Sequence, residues 1–280
     1  MEELRMVLLG KTGDGKSSAG NTILNDRMFH TRSSLNSVTH QCVTVSGITH
    51  GRPVSVTDTP GLFDTDRPDG ILKHELVRCM THCAPGVHAF LIGLRLGTYI
   101  EQETVVKKIT ESFGEDAFKH SVVLFTHGDE LDDGQTIEDF VKETEALQEL
   151  VDKCGGRCHV IDNKYWNQQE DEYRNNSVQI QKLLDTIEKM VRENGGNYYT
   201  NELLQKIEED IQAEEMRIRE EDTTYLCDEE IREKARKRVS KKYLKKISEV
   251  TAGALLGAFF AVGVLIGAPV SLIGGVATEF

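Results

Sequence analysis

Gly10-Lys11-Thr12-Gly13-Asp14-Gly15-Lys16-Ser17 fits the pattern G-x-x-x-x-G-K-[ST]. It follows the apolar run Met6-Val7-Leu8-Leu9 and precedes a segment with helical spacing, the strand-to-helix context that makes this pattern a phosphate loop. Its glycines let the backbone fold into a concavity whose N–H groups face phosphate oxygens. The helix that follows adds the positive end of its dipole. Lys16 would bridge the β- and γ-phosphates as a point charge, and Ser17 would ligate Mg²⁺. The candidate phosphate-binding set is Gly10, Lys11, Thr12, Gly13, Asp14, Gly15, Lys16, Ser17 and Ser18.

Outward from this loop, short apolar runs alternate with amphipathic stretches as far as residue 193. Candidate strands lie at 5–9, 42–47, 54–58, 88–94, 121–126 and 158–161, and candidate helices at about 17–25, 68–83, 102–114, 135–152 and 177–193. This alternation predicts an α/β fold, a mostly parallel six-stranded sheet with helices on both faces. Strands two and three alone read as an antiparallel pair. Asn194-Gly195-Gly196-Asn197 breaks the pattern, so the reading divides the chain into a phosphate-loop domain at 1–196, a helical extension at 197–249 and an apolar segment at 250–278. In the extension, Leu204, Ile207, Ile211 and Ile218 recur at helical spacing in an acidic stretch, and Ile231, Ala235 and Val239 in a basic one.

The chain has 280 residues and a formal net charge of −13, which argues against a nucleic-acid partner. Residues 232–246 hold nine basic side chains and one acidic, a local excess of +8. Hydrophobic content of 39% and charged content of 28% exclude a wholly disordered chain and a polytopic membrane protein. Six cysteines are too few for a disulfide scaffold, and the first residues do not read as a signal peptide, so the main body is expected in the cytosol with reduced thiols. Val250 to Thr278 runs for 29 residues without a charge, carries two G-x-x-x-G spacings and follows the basic run. It reads as a C-terminal anchor that places the domain on the cytoplasmic face of an intracellular membrane, with a buried hairpin or a linker into a longer protein as the alternatives.

Three further motifs name the ligand. Asp58-Thr59-Pro60-Gly61 closes the third strand, where Asp58 would hold Mg²⁺ through water and the Gly61 N–H would meet the γ-phosphate. Thr126-His127-Gly128-Asp129 closes the fifth, and a carboxylate at Asp129 accepts from both N1–H and the exocyclic amine of guanine, which adenine cannot offer together. Asp162-Asn163-Lys164 follows the sixth, with Asn163 placed at the other edge of the base and His127 offering a stacking face. The expected ligands are GTP or GDP with Mg²⁺. Cys79 and Cys83 read as buried thiols rather than zinc ligands, and Trp166 as a packing residue.

With these residues in view, the chain resembles the immunity-associated nucleotide-binding GTPases, the GIMAP (IAN) family, and more distantly the septins and chloroplast import GTPases. The resemblance rests on residues 8–24, on Asp58-Thr59-Pro60-Gly61-Leu62-Phe63-Asp64, on residues 84–97, similar to a box peculiar to that family, and on Thr126-His127-Gly128-Asp129. It implies a G domain of the P-loop NTPase fold and places the switch-one threonine at Thr39, where its hydroxyl would complete the Mg²⁺ shell. Leu62 stands where Ras-like enzymes carry a water-orienting glutamine, and Thr98 where family members commonly carry an arginine that acts across a dimer. Hydrolysis is therefore expected to be slow, and GTP to order a switch face through which the chain forms a homodimer or oligomer. Apolar Leu62 and Phe63 fit that interface. An efficient dimer-activated hydrolase and a P-loop ATPase are the competing readings.

Overall fold

The computed structural model describes residues 3–31, 42–64, 69–98, 102–166, 171–221 and 226–247; Thr39 and the apolar segment 250–278 lie outside them. Six strands form one sheet: β1 (Leu4–Leu9), β2 (Val43–Thr49), β3 (Arg52–Asp58), β4 (Ala89–Arg95), β5 (Ser121–Thr126) and β6 (Cys158–Val160), in the order β2-β3-β1-β4-β5-β6. All pairings are parallel except β2 with β3. That hairpin turns through His50 and Gly51, both at positive φ (49° and 73°), as a two-residue turn matched to strand twist requires.

Strand periodicity sorts the sheet's side chains onto two cores. Val7, Leu9, Phe90, Ile92, Val123 and Phe125 enter one, while Met6, Leu8, Ala89, Leu91, Val122 and Leu124 enter the other. Helices α1 (Lys16–Leu24) and α6 (Asn176–Glu193) cover the second core through Ile23, Leu183, Leu184 and Ile187. The first is covered by α2 (Asp69–Cys83), α3 (Gln102–Phe113), α4 (Ile137–Lys142) and α5 (Glu145–Lys153). The expected single helix at 135–152 is thus two. Val141 and Leu147 are both buried but six residues apart, off one face of a continuous helix, and extended backbone at Thr144 (φ −131°, ψ 113°) restores the phase.

Beyond α6 the chain is pinned to the sheet before it turns helical again. Val87 and Tyr199 exchange backbone hydrogen bonds at 2.9 and 2.8 Å, and the Arg5 guanidinium lies 4.4 Å from the centre of the Tyr198 ring. Helices α7 (Glu202–Glu221) and α8 (Asp228–Ile247) then form an antiparallel hairpin against α2. The apolar stripes read from the sequence, Leu204, Ile207, Ile211 and Ile218 on α7 and Ile231, Ala235 and Val239 on α8, are all buried in the first core. The acidic and basic stretches face each other: Arg232 reaches Glu208 at 2.7 Å and Glu215 at 2.9 Å, and Lys242 reaches Asp210 at 3.0 Å. A buried contact of 3.0 Å between the Thr81 and Ser240 hydroxyls joins α2 to α8.

Leu62 and Phe63 depart from their expected role. They are 4% and 2% exposed and belong to the core cluster that includes Leu76, Val77 and Met80 of α2. Full burial of each large apolar side chain contributes about 1.5–3 kcal/mol, which an exposed position would forgo. They are not free to line a partner surface in this arrangement. Phe63→Ala should therefore lower the unfolding free energy by about 3–5 kcal/mol in urea denaturation, and a loss under about 1 kcal/mol would put the ring in solvent.

Candidate nucleotide site

The site lies where the parallel strands end. β1 stops at Leu9 and α1 starts at Lys16, so residues 10–15 must turn the chain within one short loop. Gly15 makes the last step in the left-handed conformation (φ 76°, ψ 16°), and a β-carbon there would come within 3.3 Å of Thr126 Oγ1 and Asn163 Nδ2. A β-carbon at Gly10 would fall 2.7 Å from the Gly93 carbonyl oxygen. Inside the loop the Lys11 N–H donates to Asp14 Oδ2 at 2.7 Å, and Lys16 Nζ donates to the Lys11 carbonyl at 2.6 Å. Burial raises the Asp14 pKa from its ordinary value, against the opposing pull of Lys16. Lys16 is 7% exposed, a cation held inward beneath the loop.

The second motif crosses directly over the first. Thr59 Oγ1 donates to the Leu8 carbonyl at 2.6 Å, tying the end of β3 to the end of β1. Asp58, 2% exposed, accepts a short hydrogen bond from Ser17 Oγ. A buried carboxylate and a hydroxyl brought together are hard oxygen donors of the kind Mg²⁺ prefers, so these residues fit that ion. Gly61 sits so close to the loop that a β-carbon would meet Thr12 Oγ1 at 2.4 Å. Asp64 completes the crossing by accepting from the Thr12 N–H at 2.8 Å and the Thr12 hydroxyl at 2.7 Å.

At the other end, Thr126 Oγ1 donates to the Asp14 carbonyl at 2.9 Å, so the end of β5 is fastened to the phosphate loop. His127 takes the left-handed conformation (φ 60°) and its Nδ1 lies 3.0 Å from Thr126 Oγ1. Burial lowers its pKa, with Arg95 adding to the effect. The exposed Asp129 shares a hydrogen bond with Asp162, and this pairing above all pushes the Asp129 pKa up to about 6. The lower partner, Asp162, accepts from the backbone N–H groups of Lys164 (2.9 Å) and Tyr165. Asn176 of α6 brackets the Asp162 backbone, accepting from its N–H at 3.1 Å and donating to its carbonyl at 2.5 Å.

The structure thus gathers residues 10–18, Asp58, Gly61, His127, Asp129 and Asn163 at one edge. Asn163 differs in detail from its expected place: its Oδ1 accepts from Thr22 Oγ1 of α1 at 2.8 Å, bracing the base loop against the phosphate-loop helix. Trp166 is buried as expected, with a consequence the sequence hides: a β-carbon at Gly128 would lie 2.5 Å from its ring. Arg95 ends β4 half-buried, and Thr98 Oγ1 donates to the Arg95 carbonyl at 2.9 Å. Asp64 and Asp162 carry roles that the motifs left unassigned. The sequence signal for each is a carboxylate beside a phosphate or base motif that the motif itself does not use.

A model of the AIG1 family matches residues 4–220. The chain belongs to the AIG1 family. Similar proteins include immune-associated nucleotide-binding protein 9 of Arabidopsis thaliana, 31% identical over 88% of this chain and 72% of that one. Immune-associated nucleotide-binding protein 10 of the same plant is 35% identical over 78% and 46% of the respective chains. GTPase IMAP family member 8 of Homo sapiens is 34% identical over 72% and 30%. This AIG1-family chain therefore spans from under a third to just under three quarters of those relatives' lengths. Among solved structures it is similar in fold to Toc33 of Arabidopsis thaliana in complex with GDP and Mg²⁺, with a TM-score of 0.54 and 21% identity over 69% and 86% of the two chains. A second structure at the same TM-score and identity, covering 68% and 83%, is described as showing that dimerization is important for the GTPase activity of atToc33 and psToc159.

The carboxylate pair gives this site a testable signature. Followed by carboxyl-carbon resonances, Asp129 should titrate near pH 6, and Asp162→Asn should return it toward the usual carboxylate range. A midpoint that ignores that substitution would contradict the shared hydrogen bond.

Proposed function

We propose that this chain binds GTP and GDP with Mg²⁺ and acts as a guanine-nucleotide switch or scaffold with slow intrinsic hydrolysis. The observation that carries the reading is the convergence of a phosphate loop, the Ser17–Asp58 pair and the Asp129 carboxylate on one sheet edge. The names of its relatives, nucleotide-binding proteins and a GTPase, support it. Loop N–H groups and Lys16 would hold the phosphates. Ser17 and Asp58, with Thr39 of switch one, would hold the Mg²⁺, which supplies charge neutralisation at the phosphates. Asp129 would read guanine, with Asp162, Asn163 and Trp166 fixing the loop around it.

GTP should displace labelled GDP far better than ATP does; equal displacement by ATP would overturn guanine recognition. A protonated Asp129 cannot accept from both guanine donors, and its raised pKa means that it gains the proton as pH falls through about 6. GDP affinity should accordingly be full at pH 7.5 and fall below pH 6. An affinity flat from pH 5 to pH 8 would remove Asp129 from the base site.

Slow hydrolysis follows from Leu62, which is buried and has no group to polarise water, and from the uncharged Thr98. Self-association through the switch face is supported by the link between dimerization and GTPase activity described for the Toc33 structure. With Leu62 and Phe63 in the core, that face would be made by the polar rim of the nucleotide site. The membrane reading now rests on segment 250–278 and on the exposed basic residues of α8, including Lys241 and Lys245, since no helix among the described residues is long and apolar enough to cross a membrane. One comparison tests both. The full chain should float with anionic vesicles and a chain truncated after Glu249 should not, while both turn over GTP slowly at all protein concentrations. Turnover that rises steeply with concentration would favour the dimer-activated hydrolase, and flotation of both would move membrane binding elsewhere.

A further inference from the structure

The contact between Asp64 and Thr12 does something the motif roles do not include. Both carboxylate oxygens of Asp64 are seated on one residue of the phosphate loop, Oδ1 on the Thr12 N–H at 2.8 Å and Oδ2 on its hydroxyl at 2.7 Å. A turn sets this up, with the Asp64 N–H donating to the Gly61 carbonyl at 3.3 Å. Gly61 lies directly against the pair, since a β-carbon there would come 2.4 Å from Thr12 Oγ1 and 2.5 Å from Asp64 Oδ2. The Gly61 N–H and the Lys16 ammonium are the groups assigned above to a terminal phosphate. A third phosphate would therefore arrive beside a carboxylate already fastened to the loop.

We propose that Asp64 is a specificity-determining residue that biases the phosphate loop toward guanosine diphosphate and against the triphosphate. The inference rests on the guanine-nucleotide reading. A diphosphate ends before it reaches this carboxylate, whereas the triphosphate brings further negative charge up to it. Like charges a few ångströms apart in a partly buried site repel strongly enough to cost about tenfold or more in affinity. The triphosphate is accommodated when Asp64 leaves Thr12. Leu62 and Phe63 lie between Gly61 and Asp64 and are buried beneath α2, so that departure pulls on the packing of α2. The same carboxylate that opposes the terminal phosphate thereby couples its arrival to the second switch.

The test compares GDP with the non-hydrolysable analogue GMPPNP, each titrated with Mg²⁺ into the full chain, in wild type, Asp64→Asn and Thr12→Val. Asp64→Asn keeps the shape and removes the charge. It should raise the GMPPNP-to-GDP affinity ratio about tenfold while changing GDP affinity less than about threefold. Thr12→Val removes one of the two anchors and should shift the ratio in the same direction by less. A ratio unchanged in Asp64→Asn, or equal shifts for both nucleotides, would overturn the inference and leave guanine binding standing. Wild-type protein that bound neither nucleotide would overturn the guanine reading and this inference together.

Discussion

A parallel sheet buried on both faces has few places to put polar chemistry. In this protein β1, β3, β4 and β5 run side by side in one direction, with Leu8 opposite Asp58, Leu9 opposite Ile92 and Arg95 opposite Thr126. Their side chains fill two apolar cores, so the polar groups collect where the strands end. The phosphate loop and Asp58 meet there because the ends of β1 and β3 are level, and β4 and β5 run three residues further and bring Thr126–Asp129 alongside the loop. Hydrogen bonds between the loops then fix the assembly: Thr59 to Leu8, Thr126 to Asp14, and Thr22 to Asn163. Each bond joins a different pair of chain segments, so the site is a property of the whole sheet edge and of no single motif.

The helical hairpin follows a different logic. α7 is acidic and α8 basic, and neither has an apolar stripe wide enough to hold a helix alone. Packed together on α2 they bury Ile207, Ile211, Ala235 and Val239 completely, and Arg232 bridges Glu208 and Glu215 where its side chain is only 28% exposed. Partial burial of such a network strengthens it relative to surface pairs and makes the partnership selective, because an unmatched charge there would be costly. Part of the charge asymmetry that stands out in the composition is thus met inside the chain, where Arg232, Arg238 and Lys242 pair with carboxylates of α7.

Much of this was legible in the sequence. The six strands, the antiparallel second strand and the phosphate loop each have a local cause, in apolar runs, turn residues and glycine spacing. The stretch 135–152 reads as one helix because its apolar residues keep helical spacing on either side of Thr144, and only three-dimensional phase shows the break. Leu62 and Phe63 suit an interface as sequence because nothing local distinguishes an apolar side chain that turns inward from one that turns outward. Asp64 and Asp162 were invisible for a related reason. Their partners, Thr12 and Asp129, lie far away in sequence, and a carboxylate's role is set by what the fold places opposite it.

Trp166 packs its ring against the backbone of Gly128, leaving no room for even a methyl group at that position. The two residues stand on different loops, one after β5 and one after β6, yet Gly128 cannot be enlarged while the indole stays in place. Any evolutionary route that placed a longer side chain between His127 and Asp129 would first have to shrink or eject the indole. Trp166 also lies beside Tyr173, whose hydroxyl accepts from the Ile137 N–H at the start of α4, so that first step would loosen a third segment as well. The Gly128 position is thereby tied to the indole opposite it, and the two admit substitution only in concert.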